Sequence, residues 1–372
     1  MLLRMRKPWF AVHLVLVGAA LLATLHSGAD AQRPANSECE EYLKTPLPAE
    51  ALAVPAPKAW PACDSLKSYS GIGRKVDFEA ARTCAWSERL AQQSDLQPKY
   101  TAGSLFGGSA MLTVLYANGE GVEQNKALAL RFACESGLED SGQKDILELP
   151  NKPHVAENEK KFKYCDEVQT TLEIGFCAAW DSEIQDQARL NSIRMLSADW
   201  PATQKNALFD LVKADDVYAK AHARGEIDLS GSGRAVWQLD AEWLLHERFV
   251  TALKAIENGQ LPRGTAADFA RADTTLNRIY KKAILVAEAG KSGYGAVQPE
   301  GIRDAERAWL KYRDAWIAFA KLRYPTCDPN AWLTLLTNDR IAVLEDTFSE
   351  MGSEDTRCDQ REEDAEAPGP LP

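Results

Sequence analysis

Apolar residues between positions 63 and 350 recur at intervals of three and four, the spacing that places side chains on one face of an α-helix. Phe269, Ala272, Leu276, Ile279, Ala283 and Val286 form one such series. Ile302, Ala305, Trp309, Tyr312, Trp316 and Phe319 form a second, and Leu239, Trp243, His246, Val250 and Leu253 a third. Few segments alternate with period two and β-branched residues are not clustered, so strands are not predicted. The fold class is therefore all-α: a short helix-hairpin repeat segment followed by a disulfide-braced helical bundle. Residues 32–62 carry Pro34, Pro46, Pro48, Pro55, Pro57 and Pro61 without apolar period, which predicts a loop. Residues 351–372 are acidic and end in Pro-Gly-Pro-Leu-Pro. They carry too little apolar surface to offset ordering entropy and read as a disordered tail, with Cys358 able to tether its start.

The first 31 residues have the order of a secretory signal peptide: Arg4, Arg6 and Lys7, then an apolar run over 10–25, then Ala29-Asp30-Ala31 as a cleavage site. A retained anchor is the alternative, although the run is short for a spanning helix. No cysteine stands at the cleavage point to take a lipid. The full chain has a formal charge of −11, and loss of Arg4, Arg6, Lys7 and Asp30 leaves −13. That balance excludes nucleic acid and anionic membrane as first-choice partners, and no stable membrane insertion is expected. All eight cysteines lie beyond the cleavage site, and an even number in an exported chain reads as disulfides. Zinc is the competing reading, but there is no CxxC, and only His154, His222 and His246 remain as imidazole ligands. The expected location is periplasmic or secreted.

Two blocks separate at the polar stretch 140–159, punctuated by Gly142, Pro150 and Pro153. In the first, 63–140, the segment Tyr116-x-x-Gly119-x-Gly121-Val122-x-Gln124-Asn125-x-x-x-Ala129 predicts two helices joined by a left-handed turn, with Asn125 capping the second. It resembles Sel-like repeats, relatives of the tetratricopeptide repeats. Asp77 with Ala81 echoes Asn125 with Ala129, so a degenerate copy begins near Lys67. About two units fit, with Cys84 and Cys134 as one candidate disulfide between neighbouring helices.

The second block, 160–350, holds a faint internal repeat. Leu190-Asn191 recurs as Leu276-Asn277, and Ala214-x-x-x-Tyr218-x-x-Ala221 as Ala308-x-x-x-Tyr312-x-x-Ala315, so a duplication over 160–258 and 265–350 is one reading and chance the other. Cys165 and Cys177 stand near its start. Further on come Asp273-x-x-Leu276-Asn277-x-x-Tyr280, Trp309-Leu310-x-Tyr312-Arg313-Asp314 and Leu336-Thr337-x-x-Arg340. This succession resembles the lysozyme inhibitor LprI-like family of small, exported, helical bacterial domains, best over 269–348 and loosely from 160. The resemblance and the short intervening loop both point to a Cys165–Cys177 bond. Family members often carry a cysteine where this chain has Trp316-Ile317 and another where it has Trp332, which implies a disulfide exchanged for aromatic packing. Cys327 and Cys358 offer another path for a bond.

The physical reading of the motif residues is mainly structural. Trp309, Tyr312 and Trp316 share an apolar stripe, where packing is favoured over ligand contact. Arg340 could meet Asp314, Asp304 or Glu306 across a helix pair, a geometry suited to the forked guanidinium. Asn277 could brace backbone groups at a helix contact. The residues assigned to the family motif, as structural or binding groups, are Asp273, Leu276, Asn277, Tyr280, Trp309, Tyr312, Arg313, Asp314, Thr337 and Arg340.

No catalytic, cofactor-binding or metal-ligating residue is assigned, and no cofactor is expected. His246-Glu247 would need a second histidine at Val250 to make a zinc-protease motif, so His246 reads as a satisfied core histidine. There is no GxSxG, Gly231-Ser-Gly233 is a turn, and carboxylate pairs are too common here to signal a glycosidase. The resemblance implies an exported, non-enzymatic binding protein of the cell envelope, with a cationic lysozyme-type muramidase as partner and the acidic helix 181–186 steering it. The alternative is a structural adaptor binding a protein through its Sel-like repeats, with Trp60, Trp86 and Phe106 as available aromatics.

Overall fold

The computed structural model describes residues 37–96, 98, 101–149, 161–290 and 296–353. Among the described residues it has fourteen α-helices and no strand. The proposed signal peptide, Pro150, Pro153, Cys358 and the tail from 354 lie outside them.

The loop predicted over 32–62 is corrected by two short helices, α1 (Ser37–Tyr42) and α2 (Ala49–Leu52). Pro48 stands at the head of α2, where a missing N–H breaks no helical bond. The rest of the first unit comprises α3 (Ser65–Ser70), α4 (Phe78–Gln93), α5 (Ala102–Phe106), α6 (Ser109–Asn118), α7 (Lys126–Ser136) and α8 (Asp140–Glu148). Every residue of α6 from Ser109 to Ala117 is buried, as expected for a helix without a polar face.

The pairs α3–α4 and α6–α7 are hairpins closed by the same turn. Gly71 and Gly119 end their helices at φ +75° and +71°. Asp77 N–H donates to Ser68 O and Asn125 N–H to Tyr116 O, both at 2.9 Å. The capping side chains then accept from Ala80 N at 2.8 Å and Leu128 N at 3.0 Å. Cys84 and Cys134 are not partners: the bonds are Cys63–Cys84 and Cys39–Cys134. The reason is α1, which folds back from the supposed loop and brings Cys39 to α7.

The second unit contains α9 (Thr171–Leu196), α10 (Ala202–Gly225), α11 (Arg234–Glu257), α12 (Ala266–Ala289), α13 (Pro299–Arg323) and α14 (Pro329–Ser353). Thr170 with Glu173, and Thr265 with Asp268, form capping boxes that start α9 and α12. Of the stretch 140–159, residues 140–149 are described, and they form α8 and its C-terminal end. The first hydrophobic core runs on through Phe162 and Tyr164 to Cys177, whereas Ile193 at the far end of α9 belongs to the second core. One helix thus contributes to both cores. Cys165 is bonded to Cys177, pinning the entry of α9.

In the second core α10 and α13 run antiparallel and approach so closely at Gly225 and Gly301 that a Cβ on either would run into the other's backbone. Tyr218 and Tyr312, equivalent in the internal comparison, stack on each other at 5.4 Å. Trp316 and Trp332 also stack, 5.8 Å apart and 23° from parallel. The aromatic pair therefore occupies the two positions where the family resemblance implies cysteines. Cys327 has no disulfide partner among the described residues.

Candidate binding surface

The motif residues separate into core and surface. Leu276, Trp309, Tyr312, Thr337 and Arg340 are buried. Arg313 lies over the Trp309 ring at 5.4 Å and donates to its neighbour Asp314. Tyr280 is partly buried, and burial with the nearby Glu306 charge raises its hydroxyl above the ordinary value. Asn277 does not brace a neighbouring helix: it is exposed and donates back to Asp273 O at 2.8 Å, within its own helix.

Arg340 enters the core from α14 with no exposed surface. It forks onto Glu226, at the C-terminal end of α10, with bonds of 2.9 and 2.6 Å. Its Nη1 also donates to the Tyr218 hydroxyl at 3.1 Å, and its Nε donates to Glu306 on α13 at 3.0 Å. Of the three carboxylates named from sequence only Glu306 is a partner; Asp314 pairs with Arg313 and Asp304 with Arg307. Glu226 carries no local signal, being 114 residues away in sequence. Burial pushes the Glu226 carboxyl up, but Arg340 and His222 outweigh it and hold it at about 2. Glu306, with a single bond to the shared guanidinium, is left above the ordinary carboxylate range by burial. The cluster uses its donors and acceptors internally, so it clamps helices and offers little to a ligand.

A second cluster joins α9, α10 and α11. Asp215 accepts from Arg189 at 3.2 Å and sits 2.7 Å from His246 Nδ1. Burial raises the Asp215 carboxyl despite these partners. His246 is thus a buried, bonded histidine. Trp243 departs from the predicted stripe and is 43% exposed; the rest of the buried face of α11 takes in His246, Val250 and Leu253 of that stripe and adds Leu245, Phe249 and Ile256.

Above this cluster lies a groove of about 650 Å³ between α9 and α11. The turn of the first hairpin makes its end wall, placing Ile72 and Gly73 there. Gln187 fixes that wall, accepting from Gly73 N at 2.8 Å and donating to Gly71 O at 2.7 Å. Glu183, Asp186, Asp216, Glu242 and Glu247 supply negative charge, and Trp243 an exposed indole. No motif residue lines the groove. A more open recess between α12 and α14 is bordered by Arg263, Asp268 and Arg271, with Arg271 paired to Asp268. Among the described residues no group of three or more His, Cys, Asp and Glu side chains is placed to hold a metal ion.

Residues 258–344 match the family model described as Lysozyme inhibitor LprI. The match covers the span from the end of α11 into α14 and does not reach the Sel-like segment. No curated protein and no solved structure matches the chain.

Proposed function

We propose that this chain is an exported, non-enzymatic binding protein of the cell envelope, and that its partner is a cationic lysozyme-type muramidase. The family match over 258–344 carries the reading. Three disulfides are the chemistry of an oxidising, extracytoplasmic compartment. No described helix is long and apolar enough to cross a membrane. The buried arginines of the second unit are engaged by carboxylates, as in a scaffold that presents a surface. The acidic groove supplies a field that would speed encounter with a basic enzyme. The adaptor alternative is weaker, because two of its three aromatics, Trp86 and Phe106, are buried in the first core, leaving the half-buried Trp60 for a concave binding face. Isothermal titration of the oxidised chain, lacking 1–31, with an animal and a bacterial muramidase tests the proposal. Saturable binding that weakens as salt rises is expected; no heat with either enzyme at low salt would overturn it.

A further inference from the structure

A second recess lies beside the same two helices, α9 and α11, towards their N-terminal ends. Residues 171–179 of α9 face 235–239 of α11, and residues 182–194 face 242–247, so the two helices run parallel and border both recesses in turn, a succession called the channel below. At the N-terminal end the channel holds an apolar recess of about 380 Å³, lined by Leu172, Phe176, Ala179, Ala235 and Leu239 around Gly175. A glycine inside a helix costs roughly 0.5–1 kcal/mol relative to alanine. Packing does not demand it here, since a Cβ on Gly175 would meet only the Ala235 Cβ, at an ordinary 3.7 Å. What the glycine preserves is the open recess.

About ten positions further along α9, or roughly 15 Å at helical rise, the channel becomes acidic. Two of its cations are paired with carboxylates, Arg189 with Asp186 and Asp215 and Lys220 with Asp216, while Arg194 donates to the neutral Asn191 side chain and keeps its charge. Glu183, Glu242 and Glu247 have no ion-pair partner among the described residues, and the exposed Trp243 face offers a cation–π contact beside them.

We infer that the α9–α11 channel docks a basic amphipathic helix of a protein partner, with apolar side chains in the recess at Gly175 and lysines or arginines against Glu183, Glu242 and Glu247. A third helix laid between two parallel helices reads such a groove with anchors on one face, and the charge step along the channel sets its direction. The inference deepens the function proposed above and rests on it only for the partner's positive charge. The channel lies outside the family-matched residues 258–344.

The test uses the oxidised chain lacking 1–31 and a fluorescent leucine–lysine peptide of about five helical turns. Leucine–glutamate and serine–lysine peptides of the same length are controls, and a muramidase forms a second arm. Gly175→Leu fills the recess with a side chain whose Cβ meets only the Ala235 Cβ, at 3.7 Å, and its thermal midpoint should not fall. It should weaken the leucine–lysine peptide by about tenfold or more, as should Glu183→Lys combined with Glu242→Lys and Glu247→Lys. Equal binding by the wild type and Gly175→Leu, or equal binding of either control peptide, would overturn the inference. If the peptide is bound and both variants lose it while no muramidase binds, the channel stands and only the muramidase reading fails. If a muramidase binds wild type and Gly175→Leu alike, the channel fails and the muramidase reading stands.

Discussion

Arg340 is where three helices of the second unit are tied together, and its two carboxylates titrate in opposite directions. Glu226 is held at about 2 against an ordinary 4.5. Its contribution to stability is therefore fully present above about pH 4.5 and lost as pH falls towards 2. Linkage makes that contribution about 3 kcal/mol, an order-of-magnitude figure. Glu306 is raised, so its contribution has the other sign and declines as pH climbs above the ordinary carboxylate value. Glu226→Gln should cost about 3 kcal/mol in urea unfolding at neutral pH, and the gap from wild type should close as pH drops from 4.5 to 2. A gap independent of pH over that range would contradict the assignment. At this scale the sequence points to the arginine and to three candidate carboxylates, Asp304, Glu306 and Asp314, of which the fold selects Glu306. Glu226 stays hidden because a pairing across the fold leaves no periodicity in the chain.

Among the elements, regular stripes are the legible part. All six apolar positions read along 302–319 are buried on α13. The third series holds at His246, Val250 and Leu253, which are buried on α11, and departs at Trp243, which lines the open groove. The helices within 37–62 escape notice because closely spaced prolines hide short turns that begin at a proline. The paired hairpin turns allow a sharper comparison. Gly73 and Gly121 occupy equivalent places at φ +70° and +66°. A Cβ on Gly73 would meet nothing within 4 Å, whereas on Gly121 it would lie 2.7 Å from the Phe78 Cβ. Alanine at Gly73 should cost about 1 kcal/mol from left-handed strain alone. Alanine at Gly121 should cost at least twice that, because it also pushes α4 away from the second turn. Equal losses in thermal unfolding would contradict the stacked-hairpin arrangement.

For the whole molecule, the division of the chain is the least legible feature. Polar composition at 140–159 suggests a linker, yet the two hydrophobic cores meet along α9, which no local signal could reveal. The proposed docking depends on it, since the first unit supplies the wall at Ile72 and Gly73 while the second supplies α9 and α11. An isolated 160–350 fragment would lose that wall and the core around Cys177. The central claim is that this acidic, oxidised chain restrains a cationic muramidase, and the most direct measurement is the lysis rate of a cell-wall suspension. At low salt the complete chain lacking 1–31, at tens of micromolar, should slow lysis by an animal or a bacterial muramidase. Raising salt until the Debye length falls well below about 8 Å should restore much of the rate. Unchanged lysis by both enzymes at low salt, with the disulfides verified intact, would contradict the claim.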